Sequence, residues 1–259
     1  MLADANGTGD GLTFVGHSTI RLDFGGTTLL TDPVLRDRLL HIRRHAPSPD
    51  PELWRGVDAV LLSHLHGDHL DLPSLRMVGP GVRVVVPRGA GAWLEKAGFS
   101  SVEEVAPGET ISVGDVEVAV IQADHKGHRW PLVGPRADPV GYVMRGGTSV
   151  YFAGDTDLFS GMHDLAGTID VALLPVWGWG TSLGSGHLDP RRAAEAVARI
   201  RPRTAVPIHW GTLFPIGRHR THGHLLHDPP REFAAHIAEL APSVEVALLE
   251  PGESLALTP

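Results

Sequence analysis

Residues 64 to 69 read HLHGDH, directly after the largely apolar run 57–62 and Ser63. A run this short, rich in branched residues, reads as a buried strand whose C-terminal end tips into a loop. Any fold for this chain must therefore seat three imidazoles and a carboxylate at one strand end. Neutral imidazoles need hydrogen-bond partners, and a buried carboxylate needs a countercharge. A divalent cation satisfies them together. His64 and His66 are two apart, so in extended backbone their side chains point the same way and can grip one ion. Asp68 and His69 lie beyond the turn at Gly67, within reach of a second.

The remaining 253 positions limit what can surround this block. At 259 residues and 42% hydrophobic content the chain has ample material for a buried core, and it reads as one α/β domain spanning 1–259. The 31 glycines and 21 prolines are scattered among short apolar runs, a pattern of tight turns rather than of a disordered tail. Cysteine is absent, which excludes disulfides, thiolate nucleophiles and cysteine ligands; metal binding must use imidazole and carboxylate. A formal charge of -8 offers no general basic surface, so no nucleic-acid partner is expected. The N-terminal stretch MLADANGTGDG lacks the basic and apolar regions of a secretory signal, and no apolar stretch approaches the length of a transmembrane segment. A cytoplasmic location is the expectation.

Along the chain, Gly25-Gly26 is placed as a hairpin turn between residues 21–24 and 27–30. Arg36 to Pro51 reads as a surface excursion. Strands are expected over 82–86, 116–121, 140–144, 149–152, 170–174 and 204–208, with a last one over 244–249 closing the fold. Helices are expected over 89–97, from Asp189-Pro190 onward, where an N-cap residue precedes proline, and over about 231–240.

Three further candidates stand where strands give way to loops: His125 in QADHKGHR, Asp155 in FAGDTDLF and His209 in PIHWGT. His128 competes with His125, which falls nearer the strand end. Asp32, in TDP, reads either as a turn aspartate before Pro33 or as a residue that orients a ligating histidine through a hydrogen bond, and His17, in VGHST, is similarly placed.

The block HLHGDH resembles the HxHxDH signature of the metallo-β-lactamase superfamily, and the later order of histidine, aspartate in a GDT-like turn, then histidine matches it too. The stretches VGHSTIRLDFGGTTLLTDP, FAGDTDLF and HLDPRRAAEAVARIRPRTAVPIHWGTLF are similar to the N-acylphosphatidylethanolamine phospholipase D and ascorbate-phosphate lactonase branch, over residues 12 to 230. That resemblance implies a four-layer αβ/βα sandwich, two mixed sheets packed face to face with helices outside. It also implies that His64, His66 and His125 hold one ion, that Asp68, His69 and His209 hold the other, and that Asp155 bridges them. His187, ahead of the DP helix, is carried over as a residue near the metals. The histidine-rich segment Gly217 to Pro230 departs from the branch; Arg218, His219, Arg220, His222 and His224 could form a cationic lid over an anionic substrate. Trp177, Trp179 and Trp210 are candidate walls of a substrate pocket.

The expected activity is hydrolysis of a small-molecule substrate by a hydroxide held between two divalent ions, zinc first, manganese or iron as alternatives. Asp68 would hold or receive a proton, and His187 would contact substrate or protonate the leaving group. A phosphodiester is the expected substrate class, with a lactone or other cyclic ester as the second reading. A metal-dependent binding or sensing protein is the third.

Overall fold

The computed structural model describes residues 9–129, 134–178 and 183–258. Within them the strands are β1 (Gly11–Gly16), β2 (Thr19–Phe24), β3 (Thr27–Thr31), β4 (Arg38–Leu39), β5 (Ile42–Arg44), β6 (Ala59–Leu61), β7 (Arg83–Pro87), β8 (Val102–Val105) and β9 (Thr110–Val113). They continue with β10 (Val116–Gln122), β11 (Val140–Arg145), β12 (Ser149–Phe152), β13 (Val171–Pro175), β14 (Thr204–Ile208), β15 (Leu213–Pro215), β16 (Glu245–Val246) and β17 (Ser254–Ala256). The α-helices are α1 (Leu72–Val78), α2 (Gly91–Lys96), α3 (Pro190–Ile200), α4 (His219–His222) and α5 (Asp228–Leu240).

Two seven-stranded sheets result, in the orders β17-β1-β2-β3-β6-β7-β8 and β16-β14-β13-β12-β11-β10-β9. Both are mixed: β1, β2 and β3 pair antiparallel while β3, β6 and β7 pair parallel, and β11–β12 is antiparallel where β12–β13–β14 is parallel. The patterning explains the layers. In β2, Ile20, Leu22 and Phe24 are buried while Arg21 and Asp23 are only half-buried. In β13 and β14 every residue is buried, as befits parallel strands covered on both faces.

One core joins the facing surfaces, with Phe14, Leu22, Leu29 and Leu61 of the first sheet against Val118, Tyr142 and Phe152 of the second. Ala193, Val197 and Ile200 of α3 and Phe233 and Ile237 of α5 extend it outward. A second core under the other face packs Val60, Val84 and Val86 against Leu75 of α1 and Leu94 of α2. Helix, sheet, sheet, helix is the four-layer α/β sandwich.

Several expectations need correction. The stretch 36–51 is not simply a surface excursion: β4 and β5 pair with β15 in a small third sheet, and Arg44 is buried, donating from Nη2 to Val34 O at 2.6 Å. Residues 244–249 contribute only the two-residue β16; the first sheet is closed by β17, which pairs with β1. Helix α5 starts at Asp228, three residues early, because the prolines 229 and 230 occupy its first turn, where no N–H is needed. No helix among the described residues is long and apolar enough to cross a membrane.

Candidate metal centre

The loop after β6 is turned by two hydrogen bonds onto the His66 carbonyl, from His69 N at 3.1 Å and Leu70 N at 2.8 Å. Arg129 clamps it from outside, donating from Nη1 to Leu65 O at 2.9 Å and Leu70 O at 2.8 Å. His64 and His66 therefore face one way and Asp68 and His69 another. Strand β11 brings the second sheet alongside, its Val140 N donating to Ser63 O at 2.9 Å. The loops after β10, β12 and β14 then deliver His125, Asp155 and His209 to the same place.

Two groups of donor atoms form. In one, His66 Nδ1 lies 3.0 Å from His64 Nε2 and 3.1 Å from His125 Nε2. In the other, His69 Nε2 lies 3.2 Å from His209 Nε2, with Asp68 Oδ2 at 3.7 Å from each. Asp155 sits between them. Its Oδ2 is 3.4 Å from His69 Nε2, 3.9 Å from His125 Nε2 and 4.0 Å from His64 Nε2, while Oδ1 is 3.4 Å from His209 Nε2. Oδ1 is buried with no hydrogen bond among the described residues.

The hydrogen bonds behind these rings fix which nitrogen faces inward. His69 Nδ1 donates to Asp32 Oδ2 at 2.7 Å, and His125 Nδ1 donates to Gly186 O at 2.5 Å. Ser63 Oγ donates to Asp32 Oδ2 at 2.5 Å, so its hydroxyl is left to accept from His64 Nδ1 at 2.9 Å. Each of the three imidazoles thus turns its Nε2 toward the centre, the atom that would ligate a cation. The expected orienting role of Asp32 is wider than one histidine, since it reaches His69 directly and His64 through Ser63.

Glycine 154 sets the position of Asp155. Its φ is +60°, and a Cβ there would stand 2.5 Å from Ser63 Cβ. Gly154→Ala is therefore expected to cost about 1–3 kcal/mol by strain and overpacking. Chemical denaturation measures it, and unchanged stability would contradict this reading of the turn. Asp157, in the same GDTD turn, accepts from Gly186 N at 3.2 Å and from Arg192 of α3, tying the His125 contact at Gly186 to the helix. Sequence reading did not single out Ser63 or Asp157. For Asp157 the only signal was a second carboxylate in GDTD.

Electrostatics match the donor set. Burial would raise the Asp155 carboxyl, but His209 and His69 overcome it and hold the group well below the usual range. For Asp68, burial is likewise outweighed by His69 and by hydrogen bonds from His17 and His209. Burial lowers His64, and it lowers His66 to about 4 and His17 to about 3. Neutral imidazoles beside ionised carboxylates are what a divalent cation of borderline or hard character takes as ligands.

A pH dependence follows for metal-free protein. His17 and His66 stay neutral in the fold down to about 3 and about 4, whereas the unfolded chain protonates them near 6.5. The unfolded state then binds more protons across that window, so stability falls as pH drops through it. His69, raised because Asp155 and Asp68 outweigh its burial, and Asp32, raised by burial, act in the opposite sense, two groups against His17, His64 and His66 and the depressed carboxyls of Asp68 and Asp155. Calorimetry from pH 7 to 4 should show a falling Tm without metal; a rising one would contradict the assignment of neutral imidazoles.

Among the described residues, two clefts flank the centre. One, of about 510 Å³, is lined by His187, Trp177, Asp189, Arg191, Glu232 and His236 among others. His187 meets the His125 ring edge-on at 4.7 Å, and its pKa is lowered by burial. The other, of about 500 Å³, reaches His66 and Asp68 past Arg36, Leu39, Ile42 and Arg129. Trp210 is buried, packing on Phe14 at 6.1 Å, so it belongs to the core rather than to a pocket wall. Trp179 lies outside the described residues. Of the proposed lid, Arg218, His219, Arg220 and His224 are exposed and line neither cleft; His219 stacks on His45 at 4.9 Å. His128 instead bridges to Arg136 and lines a separate hollow, which leaves His125 at the centre.

Comparison with known proteins bears on this geometry. The family model described as the beta-lactamase superfamily domain matches residues 27–210. A UPF0173 metal-dependent hydrolase of Methanopyrus kandleri is 34% identical over 249 residues, covering 94% of this chain and 98% of that protein. Among solved structures, a metallo hydrolase of Ignicoccus hospitalis superposes with a TM-score of 0.71 at 24% identity, over 96% of this chain and 98% of that one. A possible metal-dependent hydrolase of Veillonella parvula does so at 0.73 and 20% identity, covering 96% and 100%. At these identities the two structures speak for the fold alone.

Proposed function

The chain belongs to the metallo-β-lactamase superfamily and is one of its metal-dependent hydrolases; from that premise we propose that it works with a pair of divalent cations on an ester of phosphoric acid. His64, His66 and His125 would hold one cation, Asp68, His69 and His209 the other, and Asp155 would touch both. Zinc suits this set of imidazole and carboxylate, and manganese or iron(II) takes the same ligands. The observation that carries the reading is Asp155, which lies between the donor groups: its oxygens are 3.4 Å from His69 Nε2 and His209 Nε2 on one side, and Oδ2 is 3.9 Å from His125 Nε2 and 4.0 Å from His64 Nε2 on the other. Bound there, such a pair lowers the pKa of water toward neutrality and polarises the bond under attack.

The protein's own groups do the rest. The carboxylate of Asp68, with a side chain 16% exposed, faces the cleft beside His66 and can hold or receive the proton released from water. His187, neutral near pH 7, reaches substrate from the opposite cleft as a hydrogen-bonding group. His187→Ala should lower kcat by about 100-fold with metal content unchanged; an unaltered kcat would remove His187 from the reaction.

The cleft beside His66 and Asp68 is walled by Leu39, Leu40 and Ile42, while its Arg36 is paired with Asp71 and its Arg129 is held by the Leu65 and Leu70 carbonyls; such a wall suits the organic group of an ester whose phosphoryl end would meet the cations. Turnover of bis(p-nitrophenyl) phosphate against the opening of simple lactones, each with zinc, manganese or iron(II), tests this. Preference for the phosphodiester supports the proposal, lactone opening alone replaces it with the cyclic-ester reading, and no turnover of any ester would favour a binding or sensing role.

A further inference from the structure

The two donor groups are unequal. On the side of Asp68, His69 and His209 a further imidazole converges: His17 Nε2 lies 3.2 Å from Asp68 Oδ2, and the four residues' ligand atoms all lie within 4.8 Å of one another. The His17 ring centroid is 3.9 Å from that of His209 and 5.3 Å from that of His69. The opposite group, His64, His66 and His125, offers three imidazoles; His187 comes within 4.8 Å of His125 and Asp155 but is not grouped with His64 or His66.

The backbone holds His17 in place at a cost. It adopts φ +58° in the turn between β1 and β2, and His209 adopts φ +64° after β14; neither is glycine. The two are locked together, with His209 N donating to His17 O at 2.8 Å. His17 N donates to Thr212 Oγ1 at 2.7 Å, and the preceding Gly16, at φ +131°, lies so close to Thr212 that a Cβ would meet it at 2.8 Å. Left-handed backbone at two non-glycine residues is strain of order 1–3 kcal/mol each, and it persists where a site over-determines the geometry. Here it aims both imidazoles at Asp68.

We propose that His17 is a direct metal ligand, giving the Asp68 position four protein donors besides the shared Asp155, against three at the His66 position. The inference rests on the two-cation reading above. It makes the pair asymmetric: the His17 side is the tighter, more fully coordinated position, and the His66 side, between the two clefts, keeps coordination open for substrate and water. A positioning role for His17 through Asp68 alone is the competing interpretation, and it differs in magnitude.

Cobalt(II) replacement provides the test, read by metal per chain and by spectroscopy rather than by turnover. The native protein should bind two cobalt ions with separable affinities, and its paramagnetic NMR spectrum should show hyperfine-shifted exchangeable protons from six ligand imidazoles. In His17→Gln the tighter ion should be weakened by more than about 100-fold, beyond the 10–100-fold typical of outer hydrogen-bond partners. His17→Asn, whose side chain tolerates left-handed backbone but is too short to reach, should lose it equally and covers the case in which the glutamine variant misfolds. Five shifted imidazoles in the native protein, or two unweakened ions in either folded variant, would overturn the proposal while leaving the two-cation reading intact. Failure of the native protein to bind a second ion would overturn both.

Discussion

Asp155→Asn is expected to lower hydrolytic kcat/KM by about 1000-fold or more and to release metal from the folded protein. The substitution keeps size and shape, so the strand ends around it are not disturbed. What it removes is one negative charge and one acceptor oxygen at the carboxylate that stands between the donor groups, 3.4 Å from His69 and His209 on one side and 3.9 and 4.0 Å from His125 and His64 on the other. Without that charge, Asp68 is the one anionic ligand left to offset two divalent cations. Metal analysis and circular dichroism of the same sample separate the two components of the expectation. A folded Asp155→Asn protein with native metal content and native turnover would contradict the bridging role.

The second large effect is on stability. Asp32 is fully buried and accepts from Ser63 N at 2.7 Å, Ser63 Oγ at 2.5 Å and His69 Nδ1 at 2.7 Å. Asp32→Ala leaves these donors unpaired in a dry interior, and removing one partner of a buried charged pair costs about 3–5 kcal/mol. For a chain of this size that lowers Tm by roughly 10 °C. The same change frees the His64 and His69 rings to rotate, so metal affinity should fall about 10–100-fold. Thermal unfolding with and without metal measures both. An Asp32→Ala protein as stable as the native one would show that the carboxylate does not organise the centre.

Much of this was legible in the chain because the ligand-type residues stand immediately after apolar runs. HLHGDH, Asp155 and His209 each follow a strand that is buried throughout or nearly so, and strand ends at one edge of packed sheets converge. His125 was separable from His128 by its nearness to β10; its ring lies beside His66, whereas His128 bridges to Arg136. The Gly25-Gly26 turn was legible for the same local reason, its glycines at φ +52° and +103°.

What was not legible depends on distant partners. His17 lies 192 residues from His209 in sequence, and their meeting is written in a turn conformation rather than in a run of residues. Ser63 reads as an ordinary strand terminus until Asp32 is brought beneath it. Strand β17 is three residues of mixed character, so its pairing with β1 could not be read from periodicity. Helix α1 is seven residues long and begins three positions after the metal motif, too short for an apolar face to declare itself. The small sheet of β4, β5 and β15 joins segments of two and three residues whose registers are set only by the fold.

Anomalous diffraction from crystals of protein purified without added metal tests the central claim most directly. The expected map holds two peaks per chain, one among His64, His66 and His125 and one among Asp68, His69 and His209, with an oxygen of Asp155 against each. A single peak, or a pair in which Asp155 contacts neither ion, would contradict a centre built around that carboxylate.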